Sequence, residues 1–162
     1  MAKSQKRTPK AAKGASEVAP RVPRAISSLV RDDGGHARPV FSFALVDDSQ
    51  GEKWGWHHLD EKSAKRLFDA LLDLCKLTWT EIRARTGPGN HQQHRIHHDQ
   101  DISTLCSSAQ KRLASARYAE LGGEIFRFKI DTYERLWGFE FSGMFFAVWW
   151  DRDHEVYPVE TN

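Results

Sequence analysis

Ile125-Phe126-Arg127-Phe128-Lys129-Ile130, Arg135-Leu136-Trp137-Gly138-Phe139 and Met144-Phe145-Phe146-Ala147-Val148-Trp149-Trp150-Asp151 are three strand-like runs separated by short turn-forming stretches. Closely spaced runs of this kind argue for an antiparallel meander. The third run is the most apolar, which suits a central strand. Strand side chains alternate between faces, so Arg135, Trp137 and Phe139 share one face, and Trp149 and Trp150 point to opposite ones. One of these two tryptophans is expected in the core and the other near an open face. Asp151 to Tyr157 then forms a polar turn, and Val156-Tyr157 is expected as a short last strand.

Ahead of the meander the period changes. Leu67, Phe68, Leu71, Leu72 and Cys75 recur at helical spacing within residues 59–77, with Asp60 as N-cap. Thr78-Trp79-Thr80-Glu81 has the capping-box pattern and predicts a short helix through about Arg85. His91-Gln92-Gln93-His94-Arg95-Ile96-His97-His98 lacks an apolar period and reads as a loop. A third helix follows, capped by Asp101 or Ser103, with Leu105, Cys106, Ala109, Leu113 and Ala116 facing inward. Nearer the start, Phe41 to Val46 reads as a strand, and Trp54 and Trp56 as part of a second, the two forming a hairpin.

Two strands, then helices, then a meander give an α+β fold. The expected architecture is an antiparallel sheet, made of the N-terminal hairpin and a three- to four-stranded C-terminal meander. Two or three helices pack on one of its faces. The other face stays partly open and is the natural place for a site.

The chain has 162 residues, 40% of them hydrophobic and 28% charged, which fits one globular domain and excludes a wholly disordered chain. The longest apolar run, Met144 to Trp150, is too short to span a bilayer. Two cysteines, Cys75 and Cys106, argue against a disulfide framework and a Cys-based zinc site, and read as buried structural thiols. The net charge of +2 hides an asymmetry. Residues 1–31 hold eight bases against one acid; the remainder holds 16 bases and 21 acids. The expected organisation is a disordered basic tail over 1–31 and a single α+β domain over 32–162. The tail reads either as a nucleic-acid arm using Lys3, Lys6, Arg7, Lys10 and Lys13 or as a solvated solubilising segment. It has no secretory h-region, and a cytoplasmic location is expected.

The histidines are the first chemical candidates. His91, His94, His97 and His98 cluster in one stretch, and His154 lies near the end. Their spacing matches no standard zinc pattern, so no metal and no cofactor are expected. Imidazoles suit general acid–base work or, with Arg95, His97 and His98 together, phosphate contact. Arg135 could aim a guanidinium at a phosphate beside a stacking plane from Trp137, or be a salt-bridged surface residue. His154 and Tyr157 could supply a proton donor and an orienting hydroxyl, or simply form a polar turn.

Arg135-Leu136-Trp137-Gly138, the strand ending Trp149-Trp150-Asp151, and Asp153-His154-Glu155-Val156-Tyr157 together resemble the closing strands of the RelE/ParE-like toxin superfamily. The resemblance spans roughly residues 59–158. It implies a bacterial or phage toxin, a metal-independent endoribonuclease that cleaves mRNA on the ribosome and arrests translation. Its partners would be RNA or the ribosome, and an antitoxin or a host target protein, with no membrane association. By that resemblance Arg135 contacts the scissile phosphate, and His154 and Tyr157 fill the C-terminal positions, with His154 as general acid. His97, His98, Glu134 and Glu140 are all open as the general base. The rival reading is a non-catalytic phage or mobile-element protein that binds and inhibits a host protein or nucleic-acid complex.

Overall fold

The most apolar strand lies inside the sheet, with a neighbour on each side. In the computed structural model, which describes residues 35–87, 94–115 and 117–157, the elements run in the following order. β1 is Val40–Ser42, α1 Glu61–Leu74, α2 Trp79–Ala84, β2 Thr86–Gly87, β3 His94–Arg95, β4 His98–Asp101, α3 Ser107–Leu113, β5 Glu124–Lys129, β6 Arg135–Phe141 and β7 Met144–Asp151. The main sheet has the order β1-β7-β6-β5-β4, and β2 pairs with β3 separately. The basic tail through Arg31, with Lys3, Lys6, Arg7, Lys10 and Lys13, lies outside the described residues, as do His91 and Ala116.

The α+β class and the β5-β6-β7 antiparallel meander match the sequence reading. The N-terminal hairpin does not form. β1 runs parallel to β7, pairing Val40 with Met144 and Ser42 with Phe146, so the sheet is mixed rather than antiparallel. The tryptophan stretch expected as its partner holds a 3₁₀ turn over Trp56–His58. The reason is that β7 has an unfilled edge beyond β1. Asp47 N–H donates to the Val148 carbonyl (3.1 Å), Gly55 N–H to the Trp150 carbonyl (2.7 Å), and the Trp56 indole N–H to Val148 (2.8 Å). Sealing that edge satisfies buried carbonyls that a local hairpin would have left without donors.

The open face does not exist either. α1 and α2 cover one face, placing Leu67, Leu74, Trp79 and Ile82 against Phe126, Phe128, Leu136, Phe145 and Trp150. α3 and the flanking segments cover the other, placing Ala109, Leu113, Leu45, Trp54 and Val156 against Ile125, Trp137, Phe139, Val148 and Trp149. Both Trp149 and Trp150 are therefore fully buried. A bulge in β7 makes this possible. Trp137 pairs with Trp149 but Gly138 with Ala147, so Val148 is an extra residue and joins Trp149 on one face.

The caps of α1 and α2 are as read. The Asp60 side chain accepts from Ser63 N–H, and Thr78 and Glu81 close a capping box. Asp101 caps a 3₁₀ turn, Ile102–Thr104, rather than the helix, and α3 starts after Cys106. The expected α1 stripe is rotated. Leu67 and Leu74 are buried, whereas Phe68 and Leu72 point outward and Cys75 is exposed. The stretch read as a loop supplies β3 and β4, the latter pairing His98 with Arg127. Val156 is a buried peg in the final turn and not part of a strand.

Candidate functional site

Strand register places His98, Arg127, Trp137 and Trp149 in one row across β4, β5, β6 and β7, with their side chains on the α3 face. The next row holds Lys129, Arg135 and Asp151. The turn after β7 folds back over the two rows. Asp151, fully buried, holds that turn: its carboxylate accepts from Glu155 N–H (2.9 Å), Val156 N–H (3.1 Å) and the Trp137 indole N–H (3.2 Å). The Val156 carbonyl in turn accepts from Cys106 N–H at the start of α3 (2.9 Å). His154 sits at the apex with φ 62°, a left-handed conformation that costs a non-glycine residue energy and that recurs at functional sites.

The result is a cluster centred on Arg127. Its Nε–H donates to His98 Nε2 (3.0 Å), and its Nη1 lies 3.0 Å from His154 Nε2. The guanidinium carbon also stands 6.0 Å from the centroid of the Trp137 ring and 5.9 Å from that of Tyr157. The His154 and Tyr157 rings meet edge-on at 6.3 Å. His98 Nδ1 points at the Asp99 carbonyl (2.7 Å), which assigns the proton to Nδ1 and leaves Nε2 as the acceptor.

Arg135 borders the cluster. It is 8% exposed; its Nη1 donates to the carbonyls of Asp131, Thr132 and Glu134, while its buried Nε has no hydrogen-bond partner among the described residues. Burial, then the neighbouring Arg127 charge, hold its pKa down to about 10. Burial also lowers Arg127. Burial, followed by Arg135 and Arg127, pushes the His154 imidazole down to about 4, and burial with Arg127 lowers His98. Burial raises the Asp151 carboxyl against its three N–H donors. The site thus holds the guanidinium groups of Arg127 and Arg135, two imidazoles that are neutral at pH 7, the Tyr157 hydroxyl and the Asp151 carboxyl spent on structure. Such a constellation can take up an anion and exchange protons with it.

His154 and Tyr157 therefore come together around Arg127, and His98 joins them, while Arg135 acts on His154 through its charge. Trp137 is fully buried beneath Arg127, so it supports the guanidinium instead of offering a stacking plane. His97 lies on the other face. It is 4% exposed, its ring against Phe128, and its Nδ1 accepts from Lys129 N–H (3.2 Å). Arg95 is exposed on β3. Arg127 is the residue the sequence reading passed over, although a charge between Phe126 and Phe128 at mid-strand is itself a signal. A separate cleft of about 230 Å³ is lined by Asp99, Glu124, Phe139, Glu140 and Phe141. Arg83 engages Asp99 and Glu140 there, and the acidic lining does not suit a phosphate.

Among the described residues, no group of three or more His, Cys, Asp or Glu is arranged to hold a metal ion, and no helix is long and apolar enough to cross a membrane. No protein-family model matches the chain, and neither a curated protein nor a solved structure matches it.

Proposed function

We propose that the chain is a metal-independent endoribonuclease that acts on mRNA in the cytoplasm and arrests translation, in the manner of RelE/ParE-like toxins. The observation that carries this reading is the meeting of His98, His154 and Tyr157 around Arg127, with Arg135 bordering the cluster. RNA cleavage without metal needs a cation at the phosphate and proton carriers at the attacking and leaving oxygens, and these residue types supply both. Arg127 and Arg135 stabilise charge on the phosphoryl oxygens. His154 donates a proton to the leaving oxygen, and Tyr157 orients the group beside it.

The test is expression in a bacterial host, with growth and radiolabelled methionine incorporation followed for wild type, Arg127→Ala and His154→Ala. Wild type should arrest translation, and each variant should relieve the arrest; loss of one charge-stabilising donor typically slows such chemistry about 10²–10³-fold. Arrest that is equal in all three chains would remove the ribonuclease assignment.

A second reading rests on α1. Phe68, 62% exposed, and Leu72, one turn later, form an outward apolar pair. This face suits a protein partner, whether an antitoxin or a host target inhibited without catalysis. Retrieval of one stoichiometric host protein that Phe68→Glu abolishes, with RNA left intact, would favour it.

A further inference from the structure

We propose that His98 is the general base that takes the proton from the attacking 2′-hydroxyl of RNA, and that Arg127 covers this base until a phosphate arrives. The assignment deepens the ribonuclease reading and rests on it. Four groups are candidates for the base by residue type, and three are already committed. Glu134 accepts from the Ser63 hydroxyl (2.7 Å) and from Arg66 Nε (2.8 Å). Glu140 accepts from Gly143 N–H (2.8 Å) and pairs with Arg83. His97 is sealed on the opposite face against Phe128.

His98 is also hydrogen-bonded, but its Nε2 is held by an arginine of the site itself. The imidazole is partly exposed, its proton is fixed on Nδ1 by the Asp99 carbonyl, and its Nε2 lone pair faces the same guanidinium as His154 Nε2. One arginine therefore separates two imidazoles, one on each side. Burial first, and then the charges of Arg127 from β5 and Arg135 from β6, lower the His98 pKa against the opposing pull of Asp99 on its own strand, so the imidazole stays neutral, as a base must be. An anionic phosphate oxygen accepts from a guanidinium more strongly than a neutral ring nitrogen does. Substrate binding thus turns Arg127 onto the phosphate and uncovers both Nε2 atoms.

The step then balances. His98 Nε2 accepts the 2′-hydroxyl proton as O2′ bonds to phosphorus. The bond from phosphorus to O5′ breaks, and His154, protonated from solvent as the anion binds, gives its proton to O5′. The products are a 2′,3′-cyclic phosphate and a 5′-hydroxyl end, and solvent restores both imidazoles.

The experiment begins with a single-stranded oligoribonucleotide, free or ribosome-bound, in which the linkage cut by the wild-type full chain is mapped. The same RNA is then made with sulfur in place of the bridging 5′ oxygen at that linkage, a leaving group that needs no acid. His98→Ala should lose about 10²-fold or more on both RNAs, the usual scale for a lost proton carrier. His154→Ala should lose on the oxygen RNA and recover on the sulfur RNA. His98→Gln can still accept from Arg127 but cannot carry a proton, so it should stay slow; it also carries the test where the alanine chain melts early. Cleavage by His98→Ala within a few-fold of wild type, its recovery on sulfur, or rescue by His98→Gln would each overturn the assignment while leaving the ribonuclease reading in place. A wild-type chain that cuts neither free nor ribosome-bound RNA removes both.

Discussion

Lowering the pH from 7 to 5 should destabilise the protein through His97, and replacing that residue with Asn should remove the effect. The ring is buried against Phe128 and within electrostatic reach of Arg85, Arg135, His98 and Arg127; burial first, and then those charges, hold its pKa at about 4 in place of 6.5. Above pH 6.5 the ring is neutral in folded and unfolded chains alike, and the fold keeps its full stability. As pH falls below 6.5 the unfolded chain takes up a proton that the folded chain refuses until about pH 4, so stability drains away across that window. Between pH 7 and 5 the loss from this one group is about 2 kcal/mol, out of about 3 kcal/mol once both states are protonated. In a urea titration followed by tryptophan fluorescence, that lowers the midpoint by about 1 M.

Asn is the informative replacement. Its side-chain oxygen stands near the position of Nδ1 and can still accept from Lys129 N–H, but it does not titrate. At pH 7 the variant should be weaker than wild type by about 1 kcal/mol for the lost ring contact. At pH 5 the gap should close or reverse. Groups other than His97 titrate in both chains and cancel in the comparison. If the two chains lose the same stability between pH 7 and 5, to within about 0.5 kcal/mol, then the buried neutral imidazole is not the cause and the reasoning fails.

Two further outcomes follow from the same geometry. Asp151→Ala strips three N–H donors of their acceptor and should cost about 3–5 kcal/mol in thermal or urea unfolding; a loss under about 1 kcal/mol would show that the final turn does not depend on this carboxylate. Gly138→Ala sets a methyl against the Phe146 carbonyl and the Phe145 ring beside the β7 bulge and should cost about 1–3 kcal/mol, whereas Gly123→Ala, which meets nothing, should melt with wild type.

The elements legible in the sequence are those whose signal is local. The Thr78–Glu81 capping box, the Asp60 cap and the alternation of Phe126 and Phe128 each depend on residues a few positions apart. What was not legible depends on distant partners. Phe41 to Val46 looks like half of a hairpin because nothing nearby reveals that Val148 and Trp150 need donors at the β7 edge. His98 looks like loop because its strand is defined by pairing with Arg127, not by apolar alternation. Phe68 and Leu72 satisfy the helical period yet face outward, since the stripe's phase is set by which residues meet the sheet. The site divides in the same way. Arg135, His154 and Tyr157 stand out by type and position, whereas Arg127 becomes central only when register brings it between His98 and His154.

The parallel pairing of β1 with β7 carries a consequence for biogenesis. Val40 bonds into the sheet beside a strand on the order of a hundred residues further along, so the first strand leaves the ribosome tunnel long before its neighbour is made. Until β7 emerges, β6 also lacks one edge partner, and the faces of α1 and α2 have only part of their sheet to cover. The early segments must therefore wait, and the sheet is completed only once β7 is available, at the slow pace typical of long-range pairing. Chains that stall before β7 would expose Phe41, Phe126 and Phe128 and be prime clients for chaperones that shelter nascent polypeptides.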